Sequence, residues 1–112
     1  MTQQQRIAFI GGGNMASAII GGLLRQGFPV VHMDVVEPWE EARVRLENDF
    51  HLNAHATPGE FLRQADMIVW AVKPQMFKDA AAAVAQWNTQ AVHLSVMAGI
   101  PSDSIARATG NA

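Results

Sequence analysis

Three small residues follow a short apolar run near the N-terminus. Gly11, Gly13 and Ala16 come directly after Ile7 to Ile10, with the spacing G-x-G-x-x-A. Where a strand leads into a helix, the first position permits a tight turn, the second lets the backbone approach a pyrophosphate, and the third keeps helix and strand close. A phosphate then lies against free N–H groups at the helix start, where the dipole favours negative charge. The spacing therefore indicates dinucleotide binding, with an ordinary strand–helix turn as the alternative.

A carboxylate at the tip of the next strand, about 20 residues further on, is the second feature of such a site. Glu37 lies 21 residues after Ala16 and ends the second predicted strand, whereas Asp34 lies 18 residues after it and falls inside the strand. We therefore expect Glu37 to hold the adenosine ribose, with a solvated turn residue as the alternative. A carboxylate there repels a 2′-phosphate and favours NAD(H), but Arg43 and Arg45 on the next predicted helix could offset it and admit NADP(H).

The segment WAVKPQ, residues 70–75, ends the fourth predicted strand beside the place where ligands bind in such sheets. Pro74 stops the strand, and Lys73 places a cation at its end. We interpret Lys73 as a solvated loop lysine in preference to a catalytic acid. The backbone of this segment is predicted to form a wall beneath the nicotinamide ribose. SVMAGI, residues 95–100, is the matching turn after the fifth predicted strand.

Apolar runs that predict strands alternate with stretches that predict helices along the whole chain. The predicted strands are 30–36, 52–56, 66–72 and 91–96 in addition to the first, and the predicted helices begin at residues 16, 39, 57, 77 and 101. Gly27 suits the left-handed residue that ends the first helix. Gly21 and Gly22 inside that helix predict close packing, against the sheet or against something outside this chain. The alternation predicts an α/β fold: a Rossmann-like doubly wound parallel sheet of about five strands in the order 3-2-1-4-5, truncated, in one domain over residues 1–112.

Composition excludes several other classes of function. The 112 residues carry a net charge of −2, so they lack the basic surface that nucleic acid or anionic lipid attracts. There is no cysteine, and the four histidines have no ligand spacing, so we expect neither a thiol nucleophile nor a metal site. We expect no signal peptide and no membrane span, and a cytoplasmic location. The three tryptophans are predicted to be packing residues.

Three segments together resemble a known enzyme. IAFIGGGNMASAIIGGLL, ADMIVWAVKPQ and LSVMAGI are similar to the N-terminal part of pyrroline-5-carboxylate reductase, over nearly the whole chain. The resemblance implies an enzyme that reduces 1-pyrroline-5-carboxylate to L-proline with NAD(P)H, the final step of proline biosynthesis. It also implies that the glycine turn binds pyrophosphate, that the segment after strand four contacts the cofactor near its reactive end, and that the turn after strand five faces the active site. The cofactor-binding residues predicted in this way and from the spacing are Gly11, Gly12, Gly13, Asn14, Met15, Glu37, Ala71, Val72, Lys73, Pro74, Ala98 and Gly99, with no metal ligand and no catalytic residue other than the candidate Lys73.

The chain departs from that family in three respects. Members often carry serine, aspartate or Asn-Arg at the tip of strand two, where this chain has Glu37 and Pro38, so the choice between NADH and NADPH stays open. Many members have an asparagine near the adenine, where this chain has Pro58. The family continues into a helical C-terminal domain that dimerises and shapes the imine pocket. We therefore expect a fragment that binds cofactor but is inactive alone, from a homo-oligomeric parent enzyme.

Two other functions fit the same pattern. One is the cofactor domain of a related reductase, either a coenzyme F420-dependent NADP reductase or a β-hydroxyacid dehydrogenase, which the VKPQ segment disfavours. The other is a module that senses NAD(H) without chemistry, as in channel-regulating domains. A helical domain encoded after residue 112 favours the enzyme, whereas a channel or transport segment favours the sensor.

Overall fold

Five short strands form one parallel sheet in the computed structural model, which describes residues 5–88 and 90–95. They are β1 (Ile7–Ile10), β2 (Met33–Val36), β3 (Asn53–His55), β4 (Met67–Trp70) and β5 (Val92–Ser95). Their order across the sheet is β3-β2-β1-β4-β5. The predicted α/β class, the Rossmann-like parallel sheet and its strand order are confirmed. The predicted turn at Ala98 and Gly99 and the helix predicted from residue 101 lie outside the described residues.

Helices cover both faces of this sheet. They are α1 (Asn14–Arg25), α2 (Glu40–Phe50) and α3 (Phe77–Ala85), together with a 3₁₀ turn at Glu60–Gln64. Because successive side chains of a strand point to opposite faces, the strands contribute to two cores. The first core, under α1 and α2, contains Ile7, Phe9, Met33, Val35 and Val69, and the second, under α3 and the 3₁₀ turn, contains Ala8, Ile10, Val36, Ile68 and Trp70. Burial on both faces explains why β1 and β4 are apolar throughout.

The strands end level with one another. Ile10 pairs in register with Val36 of β2 and with Trp70 of β4, Val36 pairs with His55, and Trp70 pairs with Ser95. All five carboxyl ends therefore meet at one edge of the sheet, which we call the carboxyl edge. The chain passes from β1 to β2 and β3 on one side and returns to β4 on the other side. Connections that diverge in this way leave a crevice beside the end of the first strand, where ligands of doubly wound sheets bind.

Two predicted elements differ in the structure. Residues Val30–His32, predicted as the start of β2, form a 3₁₀ turn. The first residue of β1, Ile7, pairs with Met33, so the three residues before Met33 have no partner in β1. The helix predicted from residue 57 is replaced by the 3₁₀ turn, which begins after Gly59 and has no side-chain cap. The buried amide of Asn88 closes this shorter form, since its Nδ2 donates to the carbonyl oxygens of Leu62 in the turn and of Ala65 directly after it, at 2.7 and 3.0 Å.

Glycines in and after α1 have different roles from one another. Gly27 has a φ of +92°, so the left-handed residue predicted after α1 is confirmed. A Cβ at Gly21 would make ordinary contact with Phe50 at 3.7 Å, and a Cβ at Gly22 would meet nothing within 4 Å. Close packing of these two glycines against the sheet, one of the two predicted reasons for them, is therefore wrong.

A tryptophan–histidine pair joins β4 to β5. Trp70 is fully buried, and its Nε1–H donates to Nδ1 of His93 at 2.9 Å. Nδ1 accepts this bond only when it carries no hydrogen, so the pair requires a neutral imidazole. Burial lowers the pKa of His93, in the direction that the hydrogen bond also needs.

This pair predicts a pH-dependent contribution to stability. The folded protein binds a proton at His93 less readily than the unfolded chain, whose histidines titrate near pH ~6.5. The contribution of His93 is therefore complete above about pH 6.5 and is lost as the pH falls toward the lowered pKa of the folded state. Urea unfolding of the His93→Asn variant, whose Oδ1 can replace Nδ1 as acceptor, should show a smaller loss of unfolding free energy between about pH 7.5 and pH 5 than the wild type. Identical pH profiles for the two proteins would contradict this account of the pair.

Candidate functional site

The glycine turn, residues 11–13, lies at the carboxyl edge between the ends of β2 and β4. The Gly11 N–H donates to the carbonyl oxygen of Val36 at 2.8 Å, and the Ala71 N–H donates to the carbonyl oxygen of Ile10 at 2.8 Å. These bonds continue the two ladders of β1 by one step on each side. The turn that connects β1 to α1 is therefore fixed to both neighbouring strands.

The first glycine of the turn is required by its surroundings. Gly11 has a φ of +103°, a conformation that side chains rarely adopt. A Cβ at Gly11 would lie 2.6 Å from the carbonyl oxygen of Ala71. The tight turn that the spacing predicts at this position is thus confirmed, and the segment after β4 forms its wall.

The second and third glycines of the turn face different surroundings. A Cβ at Gly12 would lie 2.7 Å from Cδ1 of Leu46 and 3.3 Å from Cγ1 of Val35, so Gly12 allows α2 to pack against this edge. The spacing alone did not reveal that requirement, because Gly12 is a free position of G-x-G-x-x-A. A Cβ at Gly13 would meet nothing within 4 Å, and Gly13 is exposed. Open space at this position leaves room for a ligand to approach the backbone.

Helix α1 begins at the turn with unsatisfied backbone donors. Gly13 is its N-cap and its first turn contains no acidic residue, and no side chain caps it. The first N–H that finds a helical acceptor is that of Ser17, which donates to Gly13 at 2.9 Å. Within the described residues, the N–H groups of residues 13–16 have no acceptor. Four aligned donors at the positive end of a helix provide the geometry that binds an anion such as a phosphate.

The carboxylate of Glu37 lies beside this turn. Its Oε1 accepts from the Gly12 N–H at 2.9 Å, and its Oε2 accepts from the Trp39 N–H at 2.9 Å. Glu37 is half-buried, so the alternative of a freely solvated turn residue is wrong. Each oxygen retains a second lone pair that can accept from a hydroxyl. Asp34, in contrast, lies within β2 and pairs with Nε2 of His55 at 3.1 Å.

The two arginines of α2 have different environments. Nη1 of Arg43 donates to the carbonyl oxygens of Glu37 and Pro38 at 2.8 and 2.7 Å. The side chain of Arg45 is exposed and makes no hydrogen bond or ion pair with the rest of the described chain. Neither arginine forms an ion pair with Glu37 among the described residues. Within the described residues, the Glu37 carboxylate therefore accepts its hydrogen bonds from backbone N–H groups and not from a cationic side chain.

The segment after β4, residues 71–76, follows the end of that strand at the carboxyl edge. Ala71 and Val72 are half-buried and Lys73 is exposed. The carbonyl oxygen of Lys73 accepts from the Met76 N–H at 2.8 Å, closing the 3₁₀ turn Pro74–Met76. The exposed side chain of Lys73 fits the interpretation as a loop lysine. The structure thus brings together every predicted site residue up to Pro74, and Ala98 and Gly99 lie outside its described part.

Two other kinds of site find no support in the described part of the chain. No group of three or more histidine, aspartate or glutamate side chains in residues 5–88 and 90–95 could hold a metal ion. Over the same residues, every helix is too short or too polar to cross a bilayer.

Comparison with known proteins identifies the family. The sequence model of the family described as NADP oxidoreductase, coenzyme F420-dependent, matches residues 6–99. The chain belongs to this family. The matched range includes the glycine turn, Glu37 and the segment after β4.

Relatives in the oxidoreductase family include pyrroline-5-carboxylate reductases. That of Pseudomonas aeruginosa is 38% identical over 101 residues, which are 89% of this chain and 37% of the relative. The solved pyrroline-5-carboxylate reductase of Coxiella burnetii matches with a TM-score of 0.85 at 23% identity, over 96% of this chain and 41% of that one. The Plasmodium falciparum pyrroline carboxylate reductase, solved with NADP bound, matches with a TM-score of 0.77 at 19% identity, over 97% and 39%. The chain thus spans about two fifths of the length of these proteins, and the structural matches support its Rossmann-like fold.

Substitution by alanine should affect the unfolding free energy very differently at Gly11 and at Gly13. Gly11→Ala should lower the unfolding free energy by at least the ~1–3 kcal/mol that a strained backbone conformation costs, because the new Cβ also overlaps the Ala71 carbonyl. Gly13→Ala should cost less, about 1 kcal/mol at most, since its Cβ enters open space and only the preference for glycine over alanine at an N-cap is lost. Urea unfolding of both variants measures the difference. Equal stability of the two would mean that the turn does not have this conformation.

Proposed function

We propose that residues 1–112 are the dinucleotide-binding domain of a pyrroline-5-carboxylate reductase. The complete enzyme reduces 1-pyrroline-5-carboxylate to L-proline with NAD(P)H. The observation that carries the proposal is the open backbone at Gly13 beneath the uncapped N-terminus of α1, with the Glu37 carboxylate beside it. The identity to pyrroline-5-carboxylate reductases supports the reaction, and the NADP in the Plasmodium falciparum relative supports the type of cofactor.

Each part of the dinucleotide corresponds to one part of the carboxyl edge. The turn from Gly11 to Met15 binds the pyrophosphate through the free N–H groups of α1. Glu37 accepts hydrogen bonds from the adenosine ribose. The segment from Ala71 to Pro74 lines the nicotinamide ribose, and the turn at Ala98 and Gly99 faces the substrate.

When bound, NAD(P)H supplies the hydride that reduces the imine carbon, and the imine nitrogen gains a proton. This chain's own residues bind and orient the cofactor, because hydride transfer requires the reacting atoms to be held about 3–3.5 Å apart and aligned. Along residues 71–73, Lys73 is the only side chain that could donate a proton, and it is exposed. We therefore assign the proton donor and the imine pocket to a helical C-terminal domain of the complete enzyme. That domain would also form the homo-oligomer, and we place the enzyme in the cytoplasm.

A coenzyme F420-dependent NADP reductase is the second candidate, because the matching family model carries that description. The two candidates differ in the partner of NADP(H). An enzyme of the first kind oxidises NADPH when 1-pyrroline-5-carboxylate is added, whereas one of the second kind reduces NADP⁺ only with reduced coenzyme F420. Absorbance of the reduced nicotinamide at ~340 nm distinguishes them when the complete enzyme is assayed.

Binding of NADPH should depend on the open space at Gly13. Gly13→Val should weaken binding at least about tenfold, a change of ~1.4 kcal/mol, because a branched side chain occupies the place of the pyrophosphate. Gly22→Val is the matched control, since a Cβ there also enters open space but lies inside α1, away from the turn. Isothermal calorimetry with NADPH, on variants shown by circular dichroism to be folded, measures both. Wild-type affinity in Gly13→Val would contradict the proposed pyrophosphate site.

The charge of Glu37 should set the preference between the two cofactors. A 2′-phosphate about 4 Å from this carboxylate is repelled by ~1–4 kcal/mol, depending on the effective dielectric constant. Glu37→Gln should therefore raise the affinity for NADPH relative to NADH by about tenfold, which is ~1.4 kcal/mol. Asp34→Asn removes the same charge inside β2, and it should leave the ratio unchanged. An unchanged ratio in Glu37→Gln would place the ribose elsewhere.

Residues 1–112 alone should bind NADPH without turning over substrate. The described residues place one wall along the reactive end of the proposed site, and Lys73 there is exposed to water, where developing charge is weakly stabilised. Mixing the purified chain with NADPH and 1-pyrroline-5-carboxylate should therefore give no steady loss of absorbance at ~340 nm. Turnover that disappears in Lys73→Met would instead make Lys73 the catalytic acid.

A further inference from the structure

One tryptophan is exposed at the carboxyl edge. Trp39 is 58% exposed and lies two residues after Glu37, at the N-cap of α2. The prediction that all three tryptophans are packing residues is wrong for Trp39, whereas Trp70 is fully buried and Trp87 packs against the guanidinium of Arg63. Trp39 makes no ring or cation contact with the other described residues. An exposed indole beside a candidate site offers a ligand a broad apolar face and an N–H donor.

The backbone that carries Trp39 is held in one conformation. Six hydrogen bonds hold residues 37–39. The N–H groups of Gly12 and Trp39 donate to the Glu37 carboxylate, and Nη1 of Arg43 donates to the carbonyl oxygens of Glu37 and Pro38. In the backbone, the Glu37 N–H donates to the carbonyl oxygen of His55, and the Arg43 N–H donates to that of Trp39. The bond from the Gly12 N–H joins residues 37–39 directly to the glycine turn. These bonds order the backbone that carries the indole, so that binding of a ligand does not have to order it.

The other aromatic rings close to this edge are already paired. His55, at the end of β3, stacks on Phe61 with ring centroids 3.7 Å apart. Trp70, at the end of β4, contacts the ring of Phe77 edge to face at 5.2 Å. Trp39 is the ring in the described part of this edge that offers a free face.

We propose that Trp39 stacks on the adenine ring of the dinucleotide. The inference rests on the proposed function, because it needs Glu37 to hold the adenosine ribose. In a nucleoside the base and the hydroxyls are attached to the same ribose. A carboxylate that binds those hydroxyls therefore holds the base close to the residues that follow the carboxylate in the chain. Trp39 follows Glu37 by two residues and offers an indole close to that position. An aromatic face binds any nucleobase by stacking.

Ligands that contain different parts of the dinucleotide test this role. Trp39→Ala should weaken binding of NADH and of ADP-ribose by about tenfold. It should leave unchanged the affinity for reduced nicotinamide mononucleotide, which lacks the adenosine. Trp39→Phe retains an aromatic face and should restore most of the affinity. Val44→Ala, which shortens another exposed apolar side chain of α2, is the control and should bind all three ligands as the wild type does.

Tryptophan fluorescence gives a second measurement, which would not respond to the ligand if Trp39 had only a structural role. ADP-ribose should alter the tryptophan emission of the wild type, and this change should be absent in Trp39→Phe. If wild type and Trp39→Ala bind ADP-ribose equally, the role of Trp39 is overturned while the proposed function stands. If the wild type binds neither NADH nor ADP-ribose, both the inference and the proposed function are overturned.

Discussion

The close approach of Gly11 to the carbonyl oxygen of Ala71 is the constraint on which the carboxyl edge depends. A Cβ would lie only 2.6 Å from that oxygen, and the positive φ of Gly11 turns the chain out of the sheet immediately after β1. Helix α1 therefore begins at the level where all five strands end. The same contact places the segment after β4 against the glycine turn. The position of each of these two segments therefore depends on the other.

The backbone donors of the glycine turn fall into two groups, one that binds Glu37 and one that has no acceptor among the described residues. The Glu37 carboxylate uses the N–H of Gly12, which ties β2 to the turn, while the N–H groups of residues 13–16 stay without an acceptor in the described part of the chain. A negative group and a set of free donors thus lie side by side. A dinucleotide presents the complementary pattern, with ribose hydroxyls that donate next to phosphate oxygens that accept.

The features that follow from local chemistry could be predicted from the sequence. Alternation of strand and helix patterns gave the parallel sheet, and the distance from Ala16 to Glu37 selected, over Asp34, the acid that lies against the glycine turn. The errors arose where distant residues decide the local structure. Residues 30–32 leave the sheet because of the register with Ile7, and residues 60–64 form a 3₁₀ turn whose carbonyl groups bond to Asn88. The steric need for Gly12 and the exposure of Trp39 likewise depend on where α2 packs, which no spacing within the sequence encodes.

We propose that the N–H groups at the start of α1 bind the pyrophosphate of a nicotinamide dinucleotide. Titration of the ¹⁵N-labelled chain with NADPH, followed by backbone amide chemical shifts, locates the bound cofactor. We expect the largest saturable shifts at residues 13–16 and smaller ones at Glu37 and Ala71, while amides at the opposite edge, such as those of Arg6 and Asp66, stay unchanged. Shifts confined to the opposite edge, or unchanged amides at residues 13–16 when the protein is saturated with NADPH, would contradict this proposal.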